Sequence, residues 1–96
     1  MSLKIAVIGA GAWGTALAIS ASREGTGHAV QLWTRDPAAA SELQTLRSNH
    51  RYLPGVQFPS ALHCVSTPVS KLFSWAQRHD LIVLGTPMPA LRDIFQ

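Results

Sequence analysis

Ninety-six residues, 47% of them hydrophobic, set the scale of one small globular domain or of part of a larger one, and a charged fraction of 14% is well below the ~25% usual for soluble chains. The net charge of +3 is scattered over Arg23, Arg35, Arg47, Arg51, Arg78 and Arg92, with no basic stripe and no interleaved aromatics, which argues against a nucleic-acid-binding face. Cys64 is the single cysteine, so an intrachain disulfide is excluded and a reducing, cytoplasmic setting is expected; no apolar run reaches the roughly 20 residues of a membrane span.

The first predicted element is a strand over residues 3–8, Leu-Lys-Ile-Ala-Val-Ile. It runs directly into Gly9, Gly11 and Gly14, a G-x-G-x-x-G series, and then into a helix predicted from Ala12 to about Glu24. Strand, glycine turn and helix in that order are the context in which this series binds a dinucleotide. Gly9 permits the sharp turn, Gly11 presents no Cβ to a pyrophosphate, and Gly14 lets the helix lie close on the sheet. The pyrophosphate would face the helix N-terminus, where unpaired N–H groups and the positive end of the dipole favour an anion. Lys4 with its apolar run imitates a signal peptide, but the glycines interrupt it and no A-x-A-like site follows before Arg23-Glu24.

Gly25-Thr26-Gly27 stops the first helix, and Ala29–Trp33 is the second predicted strand. Thr34 and Arg35 follow at its end, where a dinucleotide site meets the adenosine ribose. Asp36 is the carboxylate available to bind a 2′-hydroxyl, yet it precedes Pro37 and reads as the N-cap of a helix running to about Arg47. A guanidinium at Arg35 can instead hold a 2′-phosphate, so NADP is the favoured cofactor, alone or beside NAD, with a solvated Arg35 as the alternative.

Residues 48–60 read as a polar loop, 62–66 as the third strand, and Thr67-Pro68 as the cap and start of a helix through about Arg78. Leu81–Leu84 reads as a buried fourth strand, Gly85 to Pro89 as the next strand-to-helix loop, and residues 90–95 as the opening of another helix. The fold class is therefore α/β, a Rossmann-type doubly wound parallel sheet with strand order 3-2-1-4 and right-handed crossovers. Ligand is expected in the crevice between strands one and four, which Pro87 and Met88 should flank. Trp13, inside the glycine series, either plugs a gap beside its helix or walls that crevice. Leu72, Phe73 and Trp75 should pack a helix on the sheet, Cys64 should be a buried inert thiol, and His28, His63 and His79 read as structural or solvated. His50 beside Arg51 offers a phosphate contact only as the lesser alternative. No metal site is expected.

Three stretches carry a more specific signal: Gly9-Ala10-Gly11-Ala12-Trp13-Gly14-Thr15-Ala16-Leu17-Ala18, then Leu32-Trp33-Thr34-Arg35-Asp36, then Asn49-His50-Arg51-Tyr52-Leu53-Pro54-Gly55. With Pro87-Met88-Pro89-Ala90-Leu91-Arg92, they resemble the bacterial NAD(P)-dependent glycerol-3-phosphate dehydrogenases over nearly the whole chain. The resemblance implies reversible hydride transfer between NAD(P)H and dihydroxyacetone phosphate, giving sn-glycerol 3-phosphate for phospholipid synthesis. It also implies that Trp13, Arg35 and Tyr52 contact the cofactor together with the glycine turn. Ala12 stands where the family commonly has serine, which keeps the backbone N–H but loses a hydroxyl. Asp36 stands where some members have a second basic residue, which weakens the NADP preference.

Family members are considerably longer, with a helical second domain that holds the substrate and the catalytic lysines. Here the lysines are Lys4 and Lys71, neither expected near the crevice, so no catalytic residue is assigned within this chain. Residues 1–96 are read as an incomplete N-terminal NAD(P)-binding domain, inactive alone, whose phosphorylated three-carbon substrate is held elsewhere in the whole enzyme. A fragment ending there would expose the fourth strand as an apolar edge and self-associate through it, or the full enzyme would form a homodimer. The alternatives are a stand-alone dinucleotide-binding module, or the cofactor domain of a related hydroxyacid dehydrogenase.

Overall fold

The computed structural model describes residues 3–23 and 25–84. Four strands, β1 (Lys4–Ile8), β2 (Ala29–Trp33), β5 (Leu62–Val65) and β6 (Leu81–Leu84), form one parallel sheet in the order β5-β2-β1-β6. This is the 3-2-1-4 arrangement expected from the alternating strand and helix patterns. The register sets Ile8 opposite both Trp33 and Leu84, and Trp33 opposite Val65, so the four strands end level with one another. Asp80 fastens β6 to the start of β1: its carboxylate accepts from the Lys4 N–H at 2.8 Å, and its own N–H donates to the Lys4 carbonyl at 2.7 Å.

Side chains alternate across a strand, so each face of the sheet builds its own core. On one face Ile5, Val7, Val30, Leu32, Leu62 and Cys64 pack against Ala18 and Ile19 of α1 (Ala12–Ser22). Small side chains let this helix lie close: Ala18 and Thr15 are fully buried, and Ser22, also buried, returns its hydroxyl to the Ala18 carbonyl at 2.7 Å. On the other face Ile8 and Trp33 pack against Leu72 and Ala76 of α3 (Val69–Ala76). Between β2 and β5, α2 (Pro37–Leu46) starts as read: Asp36 accepts the Ala38 N–H at 3.0 Å, and proline takes the first turn. It stops at Arg47, whose left-handed φ of 56° is held by its N–H on the Leu43 carbonyl and its guanidinium on the Pro59 carbonyl.

Four expectations are corrected. Residues 48–60 are not simply a loop, because β3 (Ser48–Asn49) and β4 (Leu53–Gln57) pair antiparallel as a small irregular hairpin. Thr67 does not cap α3; the helix begins at Val69 without a side-chain cap, and the Thr67 hydroxyl instead accepts the buried Trp33 indole N–H at 3.0 Å. Phe73 points to solvent at 63% exposure, while Leu72 and Trp75 face the sheet. Strand β6 is not buried: Leu81, Ile82 and Leu84 are each more than 40% exposed, since β6 pairs only with β1 among the described residues. The loop expected at residues 85–89, with Pro87 and Met88, and the helix expected at 90–95 lie outside the described residues. No described helix is long and apolar enough to cross a membrane.

Candidate functional site

The glycine turn sits at the level end of the sheet, between β1 and α1. Gly9 has φ +110°, a backbone that side chains rarely adopt, and its N–H donates to the Trp33 carbonyl at 2.8 Å. Gly11 is the N-cap of α1 with φ −73° and ψ −174°, an extended conformation open to any residue. No side chain caps this helix, and a Cβ built on Gly11 would meet nothing within 4 Å. Neither backbone strain nor internal packing therefore explains the glycine at 11. The turn is open on its outer side, where the first-turn N–H groups of a helix lack intrahelical partners. Gly14 is buried beneath it, as close helix-to-sheet packing requires. Ala12 is exposed, and Trp13 stands out at 69% exposure.

The hairpin is tied to this turn by two buried polar side chains. Asn49 Nδ2 donates to the Ala10 carbonyl at 3.1 Å and to Thr15 Oγ1 at 2.9 Å, and Thr15 Oγ1 lies 3.2 Å from the same carbonyl. Asn49 is 4% exposed and Thr15 is fully buried. The turn that follows brings Tyr52 to the same side, half exposed, with the Arg51 guanidinium 5.6 Å from its ring centre. A pocket of about 170 Å³ runs from Ala10 past Asn49 to Tyr52 along α2. His50 is exposed and meets Ser48 Oγ at 3.1 Å. Asn49 and Thr15 were not singled out from the sequence; the one available signal was an asparagine at the head of the Tyr52 motif.

At the neighbouring strand end, the Thr34 N–H donates to the Val65 carbonyl at 3.1 Å, and Arg35 is exposed. Asp36, the adjacent carboxylate, is also exposed and caps α2 through Oδ1. Gly9, Gly11, Ala12, Trp13, Gly14, Thr34, Arg35 and Tyr52 are thus gathered at the level end of the sheet. Three histidines serve the frame. His28 Nδ1 accepts the Leu3 N–H, His63 meets Gln44, and His79 meets Gln31. Burial pushes the Cys64 thiol up to about 11, with Arg47 opposing weakly. A larger hollow, about 700 Å³ around Arg23, His28 and Phe58, lies at the opposite end of β2, away from the glycine turn.

The family model for the N-terminus of NAD-dependent glycerol-3-phosphate dehydrogenase matches residues 4–96. The chain belongs to this family. Glycerol-3-phosphate dehydrogenase (NAD(P)+) from Acidovorax ebreus (strain TPSY) is 52% identical over 94 residues, covering 98% of this chain and 28% of that protein. The enzyme of the same name from Delftia acidovorans (strain DSM 14801 / SPH-1) is 52% identical over 91 residues, covering 95% and 26%. The crystal structure of glycerol-3-phosphate dehydrogenase from Coxiella burnetii superposes with a TM-score of 0.63 at 38% identity, over 75% of this chain and 22% of that one. The Plasmodium falciparum glycerol-3-phosphate dehydrogenase structure shares the fold alone, with a TM-score of 0.74 at 23% identity over 97% and 27%. The chain therefore spans little more than a quarter of the length of these relatives, and the rest of each dehydrogenase has no counterpart in the 96 residues. The glycine turn fits the dinucleotide in the family's name: its outer side is open where a side chain at 11 would intrude, and its helix is uncapped.

Proposed function

We propose that this chain is the cofactor-binding part of an sn-glycerol-3-phosphate dehydrogenase of the cytoplasm that accepts NADP(H) and NAD(H). The observation that carries this reading is Gly11, a glycine that neither its backbone nor its neighbours call for, at the open N-terminus of α1. The pyrophosphate lies against the N–H groups of the turn from Gly11 to Gly14, with Gly9 shaping the bend. Thr34 and Arg35 meet the adenosine ribose, and Arg35 holds a 2′-phosphate when NADP is bound. Trp13 and Tyr52 wall the crevice.

The bound nicotinamide supplies the hydride that interconverts dihydroxyacetone phosphate and sn-glycerol 3-phosphate, a step of phospholipid synthesis. Among the described residues, neither lysine is placed to serve that exchange. Lys4 opens β1 at the end opposite the glycine turn, and Lys71 is exposed on α3. The substrate and its catalytic groups belong to the part of the relatives that these residues do not span, so the 96 residues alone do not oxidise glycerol 3-phosphate. Alone, the chain also associates through the uncharged outer edge of β6.

Titration with NADPH and NADH tests the reading. Both cofactors are expected to bind, and Arg35→Ala is expected to weaken NADPH by roughly 10- to 100-fold, the worth of a charge-assisted hydrogen bond, while leaving NADH nearly unchanged. Equal NADPH affinity in wild type and variant contradicts the role of Arg35; no binding of either cofactor contradicts the function.

A further inference from the structure

We infer that Asn49 is a positioning residue that aims the glycine turn at the pyrophosphate, an inference that rests on the cofactor reading above. A trans peptide is planar, with its C=O and the following N–H pointing in opposite directions. The Ala10 carbonyl and the Gly11 N–H belong to one such unit. Asn49 Nδ2 at 3.1 Å and Thr15 Oγ1 at 3.2 Å both draw the Ala10 oxygen into the protein. The Gly11 N–H is thereby turned outward, to the open side of the turn. Rotated the other way, the same unit would present an oxygen to an anion, so the orientation of this one peptide separates attraction from repulsion.

Asn49 suits the task because its amide nitrogen carries two hydrogens and has two acceptors, the Ala10 carbonyl and the Thr15 hydroxyl. Both side chains are buried, so water does not compete for these bonds. The same contact holds the hairpin bearing Arg51 and Tyr52 beside the turn, which makes Asn49 the joint between the pyrophosphate cradle and the Tyr52 wall.

The test compares NADPH and ADP-ribose, which contain the pyrophosphate, with 2′-AMP, which does not. In Asn49→Leu, affinity for NADPH and ADP-ribose is expected to fall about tenfold or more while 2′-AMP stays within about twofold, the split expected when a buried donor to one peptide is lost. General destabilisation would weaken all three ligands together, and that result, or unchanged affinity for all three, overturns the inference. Thr15→Val should reproduce the split and Thr15→Ser should restore wild-type binding, which keeps the test open if Asn49→Leu folds poorly. A wild-type protein that binds none of the three overturns the cofactor reading itself, and the role of Asn49 with it.

Discussion

Gly9 and Gly11, two positions apart, answer different demands. Gly9 is imposed by its own backbone at φ +110° and by the bond from its N–H to the end of β2, so the fold needs it with or without a ligand. Gly11 has an ordinary backbone and open space around it, so neither strain nor packing within the described residues fixes a glycine there. The motif's spacing already assigns the two glycines different tasks, and the dihedral angles bear out the turn at Gly9. Cys64 shows the reverse case, a residue whose bland reading from sequence is matched by its burial. Desolvation keeps its thiol protonated up to about 11, against an ordinary 9.0. Its stabilising contribution is complete below pH 9 and is lost as the pH climbs toward 11, because the unfolded chain then releases a proton that the native chain retains. Thiol labelling at pH 8 is expected to be slow for the native protein and fast in denaturant; equal rates would contradict the burial.

Among the elements, those with a repeating pattern were legible and those held by single contacts were not. β1 is an apolar run after Lys4, β2 and β5 are short mainly apolar segments interrupted by Gln31 and His63, and α2 announces itself with Asp36-Pro37. Asp36→Ala is expected to destabilise the domain by about 1 kcal/mol through loss of the Ala38 cap, measured by urea unfolding. A change near zero would mean that α2 is fixed by its packing instead. The β3–β4 hairpin was hidden because Leu53-Pro54-Gly55-Val56-Gln57 has no alternation and is largely exposed. What holds it is tertiary: buried Asn49 at one end, and at the other the Phe58 N–H donating to the Arg47 carbonyl. Thr67 misled for a similar reason. A threonine before a helical proline looks like a cap, but the Trp33 indole N–H in the core takes that hydroxyl as its acceptor.

At the scale of the whole molecule, the strand order was legible because right-handed crossovers leave few alternatives once the strands are known. For β6 the sequence offered two readings, a buried strand from four apolar residues in a row and an exposed apolar edge in a chain of this length, and the second matches the exposure of Leu81, Ile82 and Leu84. Leu81, Ile82, Val83 and Leu84 carry no charge to discourage pairing. The 96-residue chain is therefore expected to associate with rising concentration in sedimentation velocity, and Ile82→Lys is expected to restore the monomer; a wild-type monomer at high concentration would contradict this. The central claim is that the level end of the sheet is reserved for a dinucleotide, and Gly11→Ala addresses it most directly. Alanine meets no atom within 4 Å and fits the backbone, and the stiffer unfolded chain offsets alanine's poorer performance as an N-cap, so the variant should stay within about 1 kcal/mol of wild type. Its NADPH affinity, titrated beside a thermal melt, should nevertheless fall about tenfold or more, because the Cβ occupies the pyrophosphate's place. Undiminished NADPH binding by a fully folded Gly11→Ala would contradict the account.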